Sequence, residues 1–441
     1  MSVLVALIET VLALVGLVVL ARWVERSWLS PGAFYALVWA GYALLGTQFG
    51  LDSGALTVGL LWVVLSCMLV HGGCVLGRTR EFINSGRTSA VLIKAAGYPY
   101  LKLLTVISTA VGLLEIGYVL FSSSSTIADA LTYAYINQLV MANRSTFVYG
   151  PENQGFLERI AFAVTYTAPL FGGVLFSSDT SLKVKAIGLA SGFVPSIVGL
   201  LYGSRMGALY GGSFWVASYM ASRVFSQTSH QSSNIWSVLK VLMGATALIV
   251  GMSGVVTVIR YDDTMFTSVE TFFETAGDIF IFFPVFALWL HESPFIFSHL
   301  TFGNLTFGRM FELFDLHTAE NYFYRVEYYA GGTSSNYFTI YRGLIDDFGH
   351  IGASVAILTF GIFAGISYKR VVEKQIHFIP MLTIAYAGIF TSLSFSLFTY
   401  VTPTIALVLF SIYFGLVGQK QRSGHAFNIP CSRSTEKKRV T

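Results

Sequence analysis

Charge is what this chain has least of. Only 11% of its 441 residues are Asp, Glu, Lys or Arg, against about 25% in soluble globular domains. Meanwhile 54% are hydrophobic and the mean hydropathy is +0.66. That balance excludes a soluble domain and points to a polytopic membrane protein. Cysteine is as scarce. Cys67, Cys74 and Cys431 are too few for a disulfide framework and lack metal-ligand spacing. Cys67 and Cys74, seven apart in one apolar segment, read as packing residues on one helix face. The chain also lacks the basic stripe that nucleic acid demands and the internal inverted repeats of many transporters. No basic leader or small-residue cleavage site marks its first apolar run, which therefore reads as a retained helix.

What is there is a series of apolar runs, each near the ~20 residues that cross a bilayer. They lie at 3–21, 32–50, 55–76, 103–122, 157–176, 186–203, 206–222, 237–258, 348–367, 376–398 and 401–418, predicting an all-α membrane protein of about eleven spans. Lysine and arginine fix its orientation. The segments after the odd-numbered spans hold 20 of the 27 basic residues, including Arg22, Arg78, Lys183, Arg223, Lys369 and Lys420. Positive charge collects on the cytoplasmic side, so the amino terminus is expected outside and the carboxyl terminus inside. The chain then divides into residues 1–258 (eight spans, with an outer connection at 123–156), an outer loop at 259–347, three more spans at 348–418, and a basic cytoplasmic tail at 419–441. Function is expected on the outer side.

At 89 residues, the 259–347 loop is far longer than a turn needs. Its four arginines face twelve carboxylates, so its surface is acidic. Residues 279–290 (IFIFFPVFALWL) are too short to span and contain Pro284, so they are expected to lie in the interface or dip into it. A near-repeat follows, Thr301-Phe302-Gly303 and Thr306-Phe307-Gly308. At the loop's end, Arg342, Asp346, Asp347 and His350 crowd a border with an uncharged apolar run. Charges held there are costly unless they are used or paired. Paired acids such as Asp346 and Asp347 suit a hard cation, though outer-loop acids are commonly just solvated.

Seven arginines lie outside the basic segments: Arg144, Arg159, Arg205, Arg260, Arg309, Arg325 and Arg342. Arg205 sits between two apolar spans with almost no loop around it, flanked by Gly203 and Gly207. A guanidinium fork there suits a phosphate in a half-buried site, with glycines permitting close approach; the alternative is an arginine reaching to the interface. Glu115, inside a span, should face the bundle interior or a wet cavity, and Glu9 likewise.

Gly203-Ser204-Arg205-Met206-Gly207-Ala208-Leu209, the Thr301–Gly308 repeat after an apolar loop helix, Asn336-Tyr337-Phe338-Thr339, and Asp347-Phe348-Gly349 entering a Gly-rich span resemble the oligosaccharide repeat-unit polymerases, the O-antigen polymerases of bacterial surface polysaccharide. The resemblance covers about residues 185–370. It implies a glycosyltransferase of the bacterial inner membrane that inverts the glycosidic linkage and moves a growing glycan from undecaprenyl diphosphate to a new lipid-linked unit. It implies as partners undecaprenyl-diphosphate-linked glycans, membrane lipids and a chain-length regulator, with no cofactor or metal and no nucleic acid. Under it, Arg205 and Arg342 hold the diphosphate, with Arg260 as a third ligand, and His350 or Asp347 is the general base. Three apart on one helix, those two would share a face; the other reading of Asp347 is the N-cap of its own span. Asn336, Tyr337 and Tyr341 suit sugar hydroxyls and rings. An O-antigen ligase shares this architecture and stays open as an alternative, as does a lipid-linked oligosaccharide flippase, which would not need so long an outer loop.

Overall fold

A computed structural model describes residues 3–47, 53–79, 98–121, 132–149, 156–178, 181–226, 235–260, 278–292, 300–312, 327–328, 334–335, 339–394 and 396–422. They form α1 (Val3–Glu25), α2 (Pro31–Gly46), α3 (Ser53–Thr79), α4 (Tyr98–Phe121), α5 (Tyr133–Tyr149), α6 (Phe156–Ser178), α7 (Leu182–Leu201), α8 (Met206–Ser226), α9 (Ile235–Arg260), α10 (Phe282–Glu292), α11 (Asn304–Glu312), α12 (Ile340–Val372), α13 (Ile379–Thr391) and α14 (Val401–Arg422). A two-residue antiparallel ladder pairs Glu327 with Ser335 and Tyr328 with Ser334. The architecture is otherwise helical among the described residues.

The protein is membrane-embedded. Among the described residues six helices are long and apolar enough to cross a bilayer: Gly54–Thr79, Tyr100–Phe121, Ile160–Ser178, Leu182–Leu201, Ile340–Val372 and Val401–Gln419. Their outer faces carry large apolar side chains, such as Leu114 at 74% exposed and Leu182 at 81%, while hydroxyls at Ser191, Ser196 and Ser218 are buried. An apolar outside and a partly polar inside is the arrangement a lipid solvent selects. The expected tenth span, 376–398, is not one continuous helix. A 3₁₀ turn at Ile376–Phe378 leads into α13, which stops at Thr391. At 13 residues and about 1.5 Å each, α13 is ~20 Å long, short of the ~30 Å hydrocarbon core. Serines at 392, 394 and 396 end it by turning their hydroxyls onto backbone, as short polar side chains do.

A close crossing joins α3 to α12. Gly73 and Gly77 face Gly361 and Gly365, two small-xxx-small pairs. A Cβ on Gly361 would lie 2.5 Å from the Val70 carbonyl oxygen, and one on Gly365 2.4 Å from that of Cys74. Backbones approach this closely only without side chains between them. The apolar 279–290 segment dips fully into the protein rather than lying along its surface. Phe283, Pro284, Val285, Phe286 and Ala287 of α10 are buried, with Ala287 against Gly59 of α3 and Phe283 against Gly46 of α2. Pro284 falls in the first turn, where its missing N–H costs nothing.

One end of the bundle carries the basic side chains. There the Glu25 carboxylate, wholly buried, pairs with His71 Nδ1 at 2.7 Å and Arg78 Nη2 at 2.6 Å. Arg78 lies over the Tyr368 ring at 4.5 Å, and Lys369 Nζ donates to its carbonyl at 2.9 Å. Lys374, in the turn after α12, donates its ammonium to the Phe225 carbonyl at the end of α8, and burial lowers its pKa from the ordinary value. These contacts gather the ends of α1, α3, α8 and α12. The beginnings of α8, α12 and α14 therefore lie at the opposite end.

Candidate functional site

At that opposite end α12 is broken. Gly349 takes φ 68° and ψ 175°, a conformation open to glycine and strained for any other residue. A break in a membrane helix exposes carbonyls that must find donors. Here the near-repeat supplies them: Thr301 N–H donates to the Asp346 carbonyl at 3.2 Å and Phe302 N–H to that of Asp347 at 3.1 Å. The Asp347 carboxylate is fully buried and turns onto the start of α11. Its Oδ1 accepts from Thr301 Oγ1 at 2.5 Å and Leu305 N–H at 2.9 Å, and its Oδ2 from Thr306 N–H at 2.8 Å. Asp347 therefore caps a neighbouring helix, not its own span.

This corrects the pairing of Asp347 with His350. The two are three apart in sequence, but the break at Gly349 lies between them, and the carboxylate spends its oxygens on α11. His350 is half-buried, its ring 5.5 Å from that of Trp62 in an edge contact. Tyr341, expected against sugar, is instead wholly buried. Its hydroxyl hydrogen-bonds those of Tyr35 at 2.6 Å and Ser66 at 2.5 Å, and its ring packs on Trp39 at 4.5 Å. It joins α2, α3 and α12 as a core residue. Arg342 is buried beside it, Nε 3.5 Å from Asp346 Oδ2 and the guanidinium 5.0 Å from the Trp289 ring centroid. Both arginine and carboxylate lie in the first segment of α12, which begins at Ile340 and so takes in the end of the expected loop.

Arg205 occupies the α7–α8 turn, half-buried. Gly203 makes the turn with φ 60°. Gly207 is used for helix packing rather than for a ligand: its Cα faces Gly199, and a Cβ there would meet the Pro195 carbonyl oxygen at 2.3 Å. The first turn of α8 holds no acidic side chain. Ser204 and Met206, on either side of Arg205, line a cleft of about 60 Å³ with Tyr166, Tyr202, Tyr210 and Tyr400. That space admits water or another small polar group. Thr402 and Pro403 complete it from the first turn of α14, which is also free of acidic side chains.

The connection from Ser392 to Tyr400 ties these parts together. Ile340 N–H donates to the Ser392 carbonyl at 3.0 Å, the Tyr210 hydroxyl reaches the Leu397 carbonyl at 3.5 Å, and Phe398 meets Phe307 of α11 at 5.7 Å. The connection is thus held by α12 two residues before Arg342 and by α8 five residues after Arg205. Sequence reasoning missed this connection because it was absorbed into an apolar run; the Ser-x-Ser-x-Ser pattern was the available signal. Four side-chain oxygens of this region, Asn304 Oδ1, Thr306 Oγ1, Thr339 Oγ1 and Thr399 Oγ1, are buried without a hydrogen bond, an uncommon state that marks unspent polar capacity.

Other expected residues fall elsewhere. Asn336 and Tyr337, and the side chain of Arg260 at the end of α9, lie outside the described residues. Glu115 faces inward and accepts from Thr165 Oγ1 at 3.2 Å, whereas Glu9 sits on an exposed face of α1. Among the described residues no group of three His, Cys, Asp or Glu side chains is placed to hold a metal, and Asp346 and Asp347 point to different partners. No protein-family model, curated protein or solved structure matches the chain.

Proposed function

We propose that this chain is a membrane-embedded glycosyltransferase that joins undecaprenyl-diphosphate-linked oligosaccharide units into a surface polysaccharide such as O-antigen. In this reading about eleven spans cross the bacterial inner membrane, with the amino terminus in the periplasm, and the arginine-bearing end faces outward. The acceptor hydroxyl attacks the anomeric carbon of the donor glycan, the bond from that carbon to the diphosphate oxygen breaks, and the linkage inverts. Arg205 stabilises the charge that develops on the departing diphosphate, where water is scarce and preorganised cations count most. His350 takes the acceptor proton, a reading supported by the Asp347 carboxylate being spent on the α11 cap. Arg342 serves as the second cation after exchanging its bond to Asp346 for the ligand.

The observation that supports this reading is that α12, which carries Arg342, and α8, which Arg205 precedes, both bond to the Ser392–Tyr400 connection, through Ile340 and Tyr210, at the end away from the basic cluster. A cleft sized for a small polar group adjoins the first arginine. The test is the lipopolysaccharide ladder of cells carrying Arg205→Ala, with protein level measured alongside. Removing one such electrostatic contact is expected to slow transfer about 100- to 1,000-fold, leaving core plus one repeat unit and no ladder. Loss of the single unit as well would favour the ligase or the flippase, and an unchanged ladder would overturn the assignment. For Arg342, the double variant Arg342→Ala/Asp346→Ala removes the charge left behind. A diphosphate ligand predicts that the double variant stays inactive; recovery would reduce Arg342 to a partner of Asp346.

A further inference from the structure

On the other side of the first turn of α14 lies a second cavity. It is a groove of about 360 Å³ walled by Phe398, Thr404, Leu407, Val408, Ser411 and Ile412, with Ile384 of α13 opposite. That volume is within the ~300–1,000 Å³ range of ligand pockets. The groove is apolar in effect, because Thr404 Oγ1 donates back to the Tyr400 carbonyl at 2.9 Å and Ser411 Oγ to that of Leu407 at 2.7 Å. Positions 404, 407, 408, 411 and 412 follow one helical stripe, about 12 Å long at 1.5 Å per residue. Val408 and Ile412 are 51% and 53% exposed, so the groove opens sideways into the lipid.

We infer that this groove holds the polyprenyl chain of the lipid-linked substrate, resting on the reading given above. Two features point to that occupant. The groove ends at Phe398, in the connection that also reaches the Arg205 cleft through Tyr400 and Thr402. A chain lying in it would bring its attached diphosphate to the start of α14, where unpaired backbone N–H groups face anions. The width left by the short α13, which stops at Thr391, gives the chain its way in from the bilayer.

Replacing Val408 with a photoreactive benzoylphenylalanine in the full chain tests this. The protein is placed in vesicles of phosphatidylethanolamine and phosphatidylglycerol containing undecaprenyl diphosphate as a minor component, illuminated, and its adducts identified by mass. The same label at Leu114, on the exposed face of α4, reports bulk lipid. The expected result is a polyprenyl adduct at 408 enriched at least 10-fold over 114, and lost with Ser411→Trp, which fills the groove. Adducts at 408 that mirror those at 114, or a crosslink to a second copy of the chain, would overturn the inference. Because the probe carries no glycan, enrichment at 408 in a protein that fails the ladder test would uphold the groove and refute only the reaction.

Discussion

Replacing Asp347 separates a cap from a base. Its carboxylate takes three donors, and hydrogen bonds to a charged group are each worth about 1.5–3 kcal/mol net. In Asp347→Ala the buried N–H groups of Leu305 and Thr306 lose their acceptor. The total is not the sum, since the three bonds share one group, and removing one side of a buried charged contact costs about 3–5 kcal/mol. Every ~1.4 kcal/mol is tenfold, so amide exchange across residues 301–312 is expected to rise at least 100-fold through local opening. Asp347→Asn keeps an acceptor oxygen and should raise it only about 10-fold. Hydrogen exchange of the purified protein, read by mass on peptides covering 301–312 and, as a control, 404–418, gives both values. The reasoning is refuted if Asp347→Asn abolishes glycan transfer while exchange at 301–312 stays at the level of the unmodified protein. The carboxylate would then act in the chemistry, not in the cap.

Two further substitutions probe the frame. In Gly361→Ala the new methyl meets the Val70 backbone, and overpacking of this kind costs about 1–3 kcal/mol; in Gly117→Ala nothing lies within 4 Å and helix propensity favours Ala by roughly 1 kcal/mol. Thermal unfolding in detergent should fall for the first and hold or rise for the second, and equal shifts would dispose of the close α3–α12 crossing. Glu25→Ala strips the buried partner from His71 and Arg78, with an expected loss of about 3–5 kcal/mol. A melting curve unchanged from the parent would mean that this ion cluster does not hold the basic end together.

The helices were legible in the sequence wherever hydrophobic length alone decides. A helix stands at each of the apolar runs from 3 to 260, because a segment in lipid must satisfy its own backbone. The misreadings occur where two chain segments satisfy each other. Asp347 three before His350 suggested a shared face, but the register depends on an unbroken helix, and Gly349 breaks it only because the Thr301–Gly303 turn supplies donors from 45 residues away. Tyr341 read as a sugar contact by position. It is buried because α10 inserts beside it, with Phe286 at 5.5 Å, and no local pattern announces that insertion. The half-buried place of Arg205 in the α7–α8 turn was legible for the opposite reason: a permanent charge with no loop around it is conspicuous on the sequence itself.

Electrostatics sets what an anion would meet at Arg342 and at the turn that holds Arg205. Arg342 has a carboxylate 3.5 Å away and an aromatic face against it, so an incoming anion must first compete with Asp346. Arg205 stands immediately before α8, whose first turn contains no acidic residue, and its cleft is closed by the equally acid-free start of α14. Helix N-termini carry about half a positive charge and disfavour a nearby cation by roughly 0.3–1 kcal/mol each. An anion beside these termini would gain from both dipoles, whereas the same anion at Arg342 gains only the difference between its own contact and the Asp346 contact it displaces.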